Sequence, residues 1–144
     1  MPKKSKHIMG FIASDHRGFA LKEKLKEKFP LIDLGTNTDK KKVDYPDYAN
    51  SLSNFVKKEK SMGILICGTG IGMSIAANRH KGIRAALCRD ASDAKITREH
   101  NDANVLALKG STKISDAEKI VKTFFETKFS NEERHKRRIK KLDN

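Results

Sequence analysis

The chain has no tryptophan and only two tyrosines, and aromatic residues make up 6% of its 144 positions. A base-stacking platform for single-stranded nucleic acid finds little support in that. There are two cysteines, Cys67 and Cys88. Each ends an apolar, strand-like run, which reads as two thiols in a reducing, cytoplasmic setting and not as a disulfide framework. No long apolar run is present, so no membrane-spanning helix is expected. The opening MPKKSK has charge but no apolar stretch behind it, so it does not read as a secretory signal. Residues 1–6 are expected as a disordered basic leader. Acidic side chains are the scarce charge, 18 against 31 Lys and Arg, for a net charge of +13. Such a surplus raises nucleic acid as a partner. Much of it, however, sits at the two ends, with Arg134, Lys136, Arg137, Arg138, Lys140 and Lys141 among the last eleven residues. A solvated basic face is the simpler account, and nucleic acid is not the expected partner.

What the chain does have is a central stretch from Gly63 to Asn78. It opens with Ile64-Leu65-Ile66, the pattern of a strand buried on both faces. Gly68, Gly70 and Gly72 follow at alternate positions, and small apolar residues then continue at helical spacing. This reads as strand, tight turn and helix start. Such a turn aims backbone N–H groups at one spot, where an anion or a developing oxyanion is stabilised. Cys67 ends the strand, so its sulfur faces that spot, and thiols at helix starts serve as bases or nucleophiles near neutral pH. A cysteine ending a core strand is also an ordinary small hydrophobe. The glycine spacing matches neither a dinucleotide fingerprint nor a P-loop, because Met73 replaces the last glycine and no Gly-Lys-Ser/Thr follows. Spacing alone therefore indicates a small anionic ligand.

Along the chain, strands are expected at 7–14, 31–34, 64–66, 83–88 and 104–108. Helices are expected from Phe19 to Phe29, from Tyr48 to Lys58 behind an Asp47 cap, from the glycine turn to Asn78, and from Asp90 to Asn101. Two more run from a Ser115 cap to about Lys128 and from Glu132 to Leu142, the latter within a basic segment 131–144. Five alternations with apolar middle strands predict an α/β fold. It is a single Rossmann-like, three-layer α/β/α domain over 1–144 with a five-stranded parallel sheet. Ligands of such sheets bind beyond the carboxyl ends of the strands. Asp15-His16, Cys67 to Gly72 and Arg89-Asp90 follow strands. His100-Asn101 ends a helix and belongs near the opposite edge, unless the helix is short or a second subunit brings it round.

These residues, in order, resemble the type B ribose-5-phosphate isomerase family, which includes allose- and galactose-phosphate isomerases. The resemblance rests on Ser14-Asp15-His16-Arg17-Gly18, Asp44-Tyr45-Pro46, Gly63 through Asn78 and Gly82-Ile83-Arg84-Ala85. It continues through the block His100 to Ala107 and Arg134-His135-Lys136-Arg137-Arg138. It implies an aldose–ketose isomerase acting on a sugar 5-phosphate without metal or other cofactor. It also implies a homodimer, or a dimer of dimers, with pockets built from two chains. By resemblance Cys67 is the base, and His100 opens the sugar ring. Backbone groups of Gly68, Gly70, Ile71 and Gly72, with the Thr69 hydroxyl, hold the enediolate. Asn101 binds a sugar oxygen, Asp15, His16 and Tyr45 line the pocket, and Arg134 and Arg138, one helical turn apart, grip the phosphate. His7, His80 and His135 receive no role. The family's arginine after the fifth strand is missing from Leu108-Lys109-Gly110-Ser111-Thr112-Lys113, where Lys109 or Lys113 stands in as a point charge. Ribose 5-phosphate is the expected substrate, a six-carbon 6-phosphate the alternative within the class, and a basic non-catalytic binding module the alternative outside it.

Overall fold

Strand and helix alternate along the chain as its apolar periodicity dictates. The computed structural model describes residues 7–143, so the expected leader at 1–6 lies outside the described residues. In chain order the elements are β1 (Gly10–Ser14), α1 (Phe19–Lys28), β2 (Leu31–Asp33), α2 (Tyr45–Glu59), β3 (Gly63–Cys67) and α3 (Ile71–Ala77). They continue with β4 (Ala85–Leu87), α4 (Ala91–Asn101), β5 (Val105–Lys109), α5 (Ile114–Glu126) and α6 (Glu133–Lys140). The five strands form one sheet in the order β2-β1-β3-β5-β4, and every neighbouring pair is parallel.

Side chains alternate across this sheet and feed two separate cores. Ile12, Ile64, Ile66, Leu106 and Leu108 face α1, α4 and α5, where Leu21, Leu25, Ala94, Ile120, Val121 and Phe124 meet them. Phe11, Ala13, Leu65, Cys67 and Val105 face α2 and α3, packing on Ala49, Leu52, Val56, Met73 and Ala77. Helices therefore cover both faces, as expected for parallel strands buried on each side. Among the described residues no helix is long and apolar enough to cross a membrane.

The differences from expectation lie at element ends. β1 starts at Gly10 and not at His7, because its neighbours begin only at Leu31 and Gly63 and leave residues 7 and 8 unpaired. β4 spans three residues of the six expected. It is an edge strand, and its outer side is occupied by Asn78: that amide donates to the Ala85 carbonyl (2.9 Å) and accepts from the Ala85 N–H (2.7 Å). α2 begins at Tyr45 with Asp44 in the cap position, not with Asp47. Pro46 suits the first helical turn, where a missing N–H costs nothing. α5 is entered from Lys113 and not Ser115.

One lysine of the charged helix α1 is fully buried. The Lys22 ammonium lies 2.6 Å from Asp33 and 2.9 Å from Glu23, and Lys26 joins the same carboxylates at 2.7 and 3.2 Å. This network ties α1 to the end of β2. The Asp33 carboxylate also accepts the Gly35 N–H (2.8 Å), fixing the chain where it leaves the sheet.

Candidate active site

The carboxyl ends of β1, β3 and β5 bring the first group of candidates together. Ser14 lies beside Ile66, and Cys67 beside Lys109. Cys67 is 4% exposed, and its sulfur accepts the Gly70 N–H at 3.2 Å. That geometry needs Gly70. Its φ is +79°, and a Cβ there would sit 2.6 Å from Leu87 and 3.0 Å from the Leu108 backbone. The Thr69 hydroxyl accepts the Ile71 N–H at 3.2 Å, so Gly70 and Ile71 spend their donors inside the turn. Among the described residues, the N–H groups of Gly68, Thr69 and Gly72 have no protein acceptor. These three are the donors the turn leaves for an oxyanion.

The second cysteine offers a contrast. Cys88 follows β4, buried, and its thiol is pushed up to about 12 by burial and by the nearby Asp93 and Asp90 carboxylates. It stays protonated at neutral pH, a small buried side chain in a carboxylate field.

Asp15 is 5% exposed and acts as the pin of the β1–α1 turn: its Oδ1 accepts the N–H groups of Arg17 (2.9 Å) and Gly18 (3.1 Å). His16 is half-buried, and its Nδ1 accepts the Val43 N–H at 3.2 Å. An acceptor at Nδ1 leaves Nε2–H as the donor. The Tyr45 ring, at the start of α2, lies against Gly72, 2.8 Å from where a Cβ would stand. Arg17, which the sequence reading passed over, lies across Gly68, its Cδ 3.0 Å and its Nη1 3.2 Å from the corresponding point. Its only sequence signal was its place between His16 and Gly18. Beside the turn is a cavity of about 430 Å³ lined by Thr69, Cys88, Arg89, Lys109, Lys113 and Asp116.

The remaining candidates stand elsewhere. α4 runs back along the sheet, so His100 and Asn101 end it at the opposite rim. The Asn101 and Asp102 carbonyls accept from Arg84 just before β4 (2.9 and 3.1 Å), and the Asn104 carbonyl accepts from Gly63, where β3 begins. The five residues of β3 put roughly 13 Å between that rim and the glycine turn. α6 joins His100 there. Its His135 ring stacks on the His100 ring, with centroids 4.4 Å apart and planes 29° apart. His135 is 4% exposed, and its Nδ1 meets the Ser130 hydroxyl at 2.8 Å. Arg134 and Arg138 are exposed on the same helix, and Arg134 pairs with Glu132 at the helix start. Within one chain, then, Cys67, Thr69, Gly68 to Gly72, Asp15, His16 and Tyr45 form one group. His100, Asn101, Arg134 and Arg138 form another.

The chain matches the Ribose/Galactose Isomerase family model over residues 11–142. It is 47% identical over 141 residues to the "Probable ribose-5-phosphate isomerase B" of Mycoplasma genitalium, covering 92% of this chain and 91% of that one. Among solved structures it is similar to a ribose 5-phosphate isomerase from Thermotoga maritima, with a TM-score of 0.89 and 46% identity, covering 95% of this chain and 98% of that one. It is also similar to the type B ribose 5-phosphate isomerase of Trypanosoma cruzi, with a TM-score of 0.87 and 43% identity over 93% of each chain. Fold, element order and sequence agree along almost the whole described length, and the chain belongs to the ribose/galactose isomerase family.

Proposed function

We propose that the protein interconverts D-ribose 5-phosphate and D-ribulose 5-phosphate through an enediolate, in the non-oxidative branch of the pentose phosphate pathway in the cytoplasm. The observation that carries the reading is the buried Cys67 sulfur under the Gly70 N–H, at the mouth of a glycine turn, in a chain of this family. Isomerisation needs a base that takes a proton from C2 and returns it to C1. It also needs fixed donors where negative charge grows on oxygen. Cys67 is the base. The Gly68, Thr69 and Gly72 N–H groups are the donors, since those of Gly70 and Ile71 are already committed. His100 opens the ring by moving the anomeric hydroxyl proton, and Asn101 binds a sugar oxygen. Arg134 and Arg138 bind the phosphate. Lys109 and Lys113, on the cavity beside the turn, add point charges where the family has an arginine.

The two groups of residues lie on opposite rims of one chain, so each working pocket takes its thiol from one protomer and its His100 from a partner. The protein acts as a homodimer. Ile71 and Ile75 on α3 and Ile96 on α4 are about half exposed. They flank β4 at the edge of the sheet, an apolar surface suited to a second copy. Assaying ribose 5-phosphate beside allose 6-phosphate tests the substrate: the pentose is expected to turn over faster, and preference for the hexose refutes that part. Mixing inactive Cys67→Ala and His100→Ala proteins tests the shared pocket. Recovered activity is expected, because a mixed dimer contains one intact site; no recovery means that each chain works alone.

A further inference from the structure

We propose that His135 is a positioning residue for the reaction: its ring, pinned from behind by Ser130, holds the His100 imidazole at the orientation ring opening needs. The inference rests on the reading of His100 as the ring-opening group. His100 stands exposed on the last turn of α4. An exposed side chain there changes rotamer within picoseconds to nanoseconds unless something restrains it. The stacked His135 ring, at 4.4 Å, is that restraint. The support behind it closes on itself. The Ser130 hydroxyl meets His135 Nδ1 at 2.8 Å, and the Ser130 N–H donates to the carbonyl of Glu99, the residue before His100, at 3.2 Å. The Glu132 N–H donates to the same hydroxyl at 3.2 Å, fixing the start of α6. One circuit therefore runs from the α4 backbone through Ser130 to His135 and back to His100.

A purely structural anchor would look different. His135 is the one buried residue of α6, a helix otherwise made of exposed charged residues and a half-buried Ile139. An aliphatic or phenyl side chain would dock such a helix at lower desolvation cost than an imidazole. What the imidazole adds is a flat polar face with a fixed back edge. It is also kept neutral: burial, with the neighbouring Arg134, His100 and Arg138 charges, lowers its proton affinity against an opposing pull from Glu132. His100 can then take up and release a proton without a second cation against its face.

Two rates separate positioning from folding. Turnover of ribose 5-phosphate starts from the furanose and requires ring opening. Uptake of solvent deuterium at C1 of ribulose 5-phosphate starts from an open chain and requires only the proton transfer at carbon. In His135→Ala the first rate is expected to fall at least tenfold, and the second to stay within about twofold of the native protein. His135→Phe keeps a stacked, buried ring and loses the Ser130 bond; with Ser130→Ala it should show the same selective loss in weaker form. Equal losses in both rates, or no loss in either, overturn the positioning role. His100→Ala is the control. If it too fails to slow furanose turnover selectively, the ring-opening reading falls and takes this inference with it. A selective His100→Ala beside an unselective His135→Ala defeats this inference alone.

Discussion

At the rim where β3 ends, the groups proposed to do chemistry are held by main chain: a glycine N–H on sulfur, two N–H groups on Asp15, one on His16. At the rim where β3 begins, His100, Asn101, Arg134 and Arg138 stand exposed on helix ends, and the His135 stack is the most evident restraint among them. The first rim resists movement because backbone and packed core resist it together. The second carries long side chains that gain precision only against another surface. Proton transfer at carbon tolerates little displacement of the base, whereas a phosphate can be gripped by flexible cations. The division of labour follows from that.

The sharpest way to test the contrast is Cys67→Ala. Turnover should fall about 10³-fold, the scale of a lost general base, with sugar-phosphate affinity nearly native; near-normal turnover by direct assay would remove the sulfur from the mechanism. Gly70→Ala attacks the same rim through its backbone. A side chain at φ +79° costs about 1–2 kcal/mol, and the contact with Leu87 and Leu108 adds to that, so both melting temperature and turnover should drop. At the other rim, Arg134→Ala should raise KM by about 10- to 100-fold, the worth of a hydrogen bond to a charged group. Its kcat should change far less. A fall in kcat with constant KM would make the two rims alike.

The smallest effect concerns the ion network behind the first rim. Half-burial alone would raise the Asp33 carboxyl; hydrogen bonds from Lys22 and Lys26 outweigh it and hold the group below its ordinary range. The Lys22 hydrogen bond does the same for Glu23, and the Asp33 bond raises Lys26. A carboxylate depressed on folding contributes stability above its unfolded value, and that contribution is lost as pH falls through the native value. The raised Lys26 contributes below its own unfolded value and fails only at high alkaline pH. Melting temperature should therefore decline from about pH 4 downward, and Asp33→Asn should shallow that decline while costing about 1.5 kcal/mol at neutral pH.

The order of strands and helices could be read from sequence because both faces of a parallel sheet must be apolar, and runs such as Ile64-Leu65-Ile66 admit few other readings. The glycine turn was legible for a similar reason: three alternate glycines suit a tight turn and helix start better than the interior of a helix or strand. Element ends were not. β4 is shorter than its apolar run and is capped on its outer side by Asn78, seven residues before the Ala85 it bonds, and no local pattern announces such a partner. Nothing local marks Lys22 as a buried residue, because buried lysines are rare without a carboxylate at hand, and its Asp33 lies eleven residues on. His135 disappeared into a run of arginines and lysines. The stack that singles it out forms only when α4 and α6 meet.

The amide of Asn78 has one more consequence. By engaging both the N–H and the carbonyl of Ala85, it behaves as a one-residue counterfeit strand laid along the outside of β4. A foreign peptide seeking to add itself there finds that rung already taken, which blunts this edge against added strands. A second copy that meets this edge at Ala85 finds a side chain there and not free backbone.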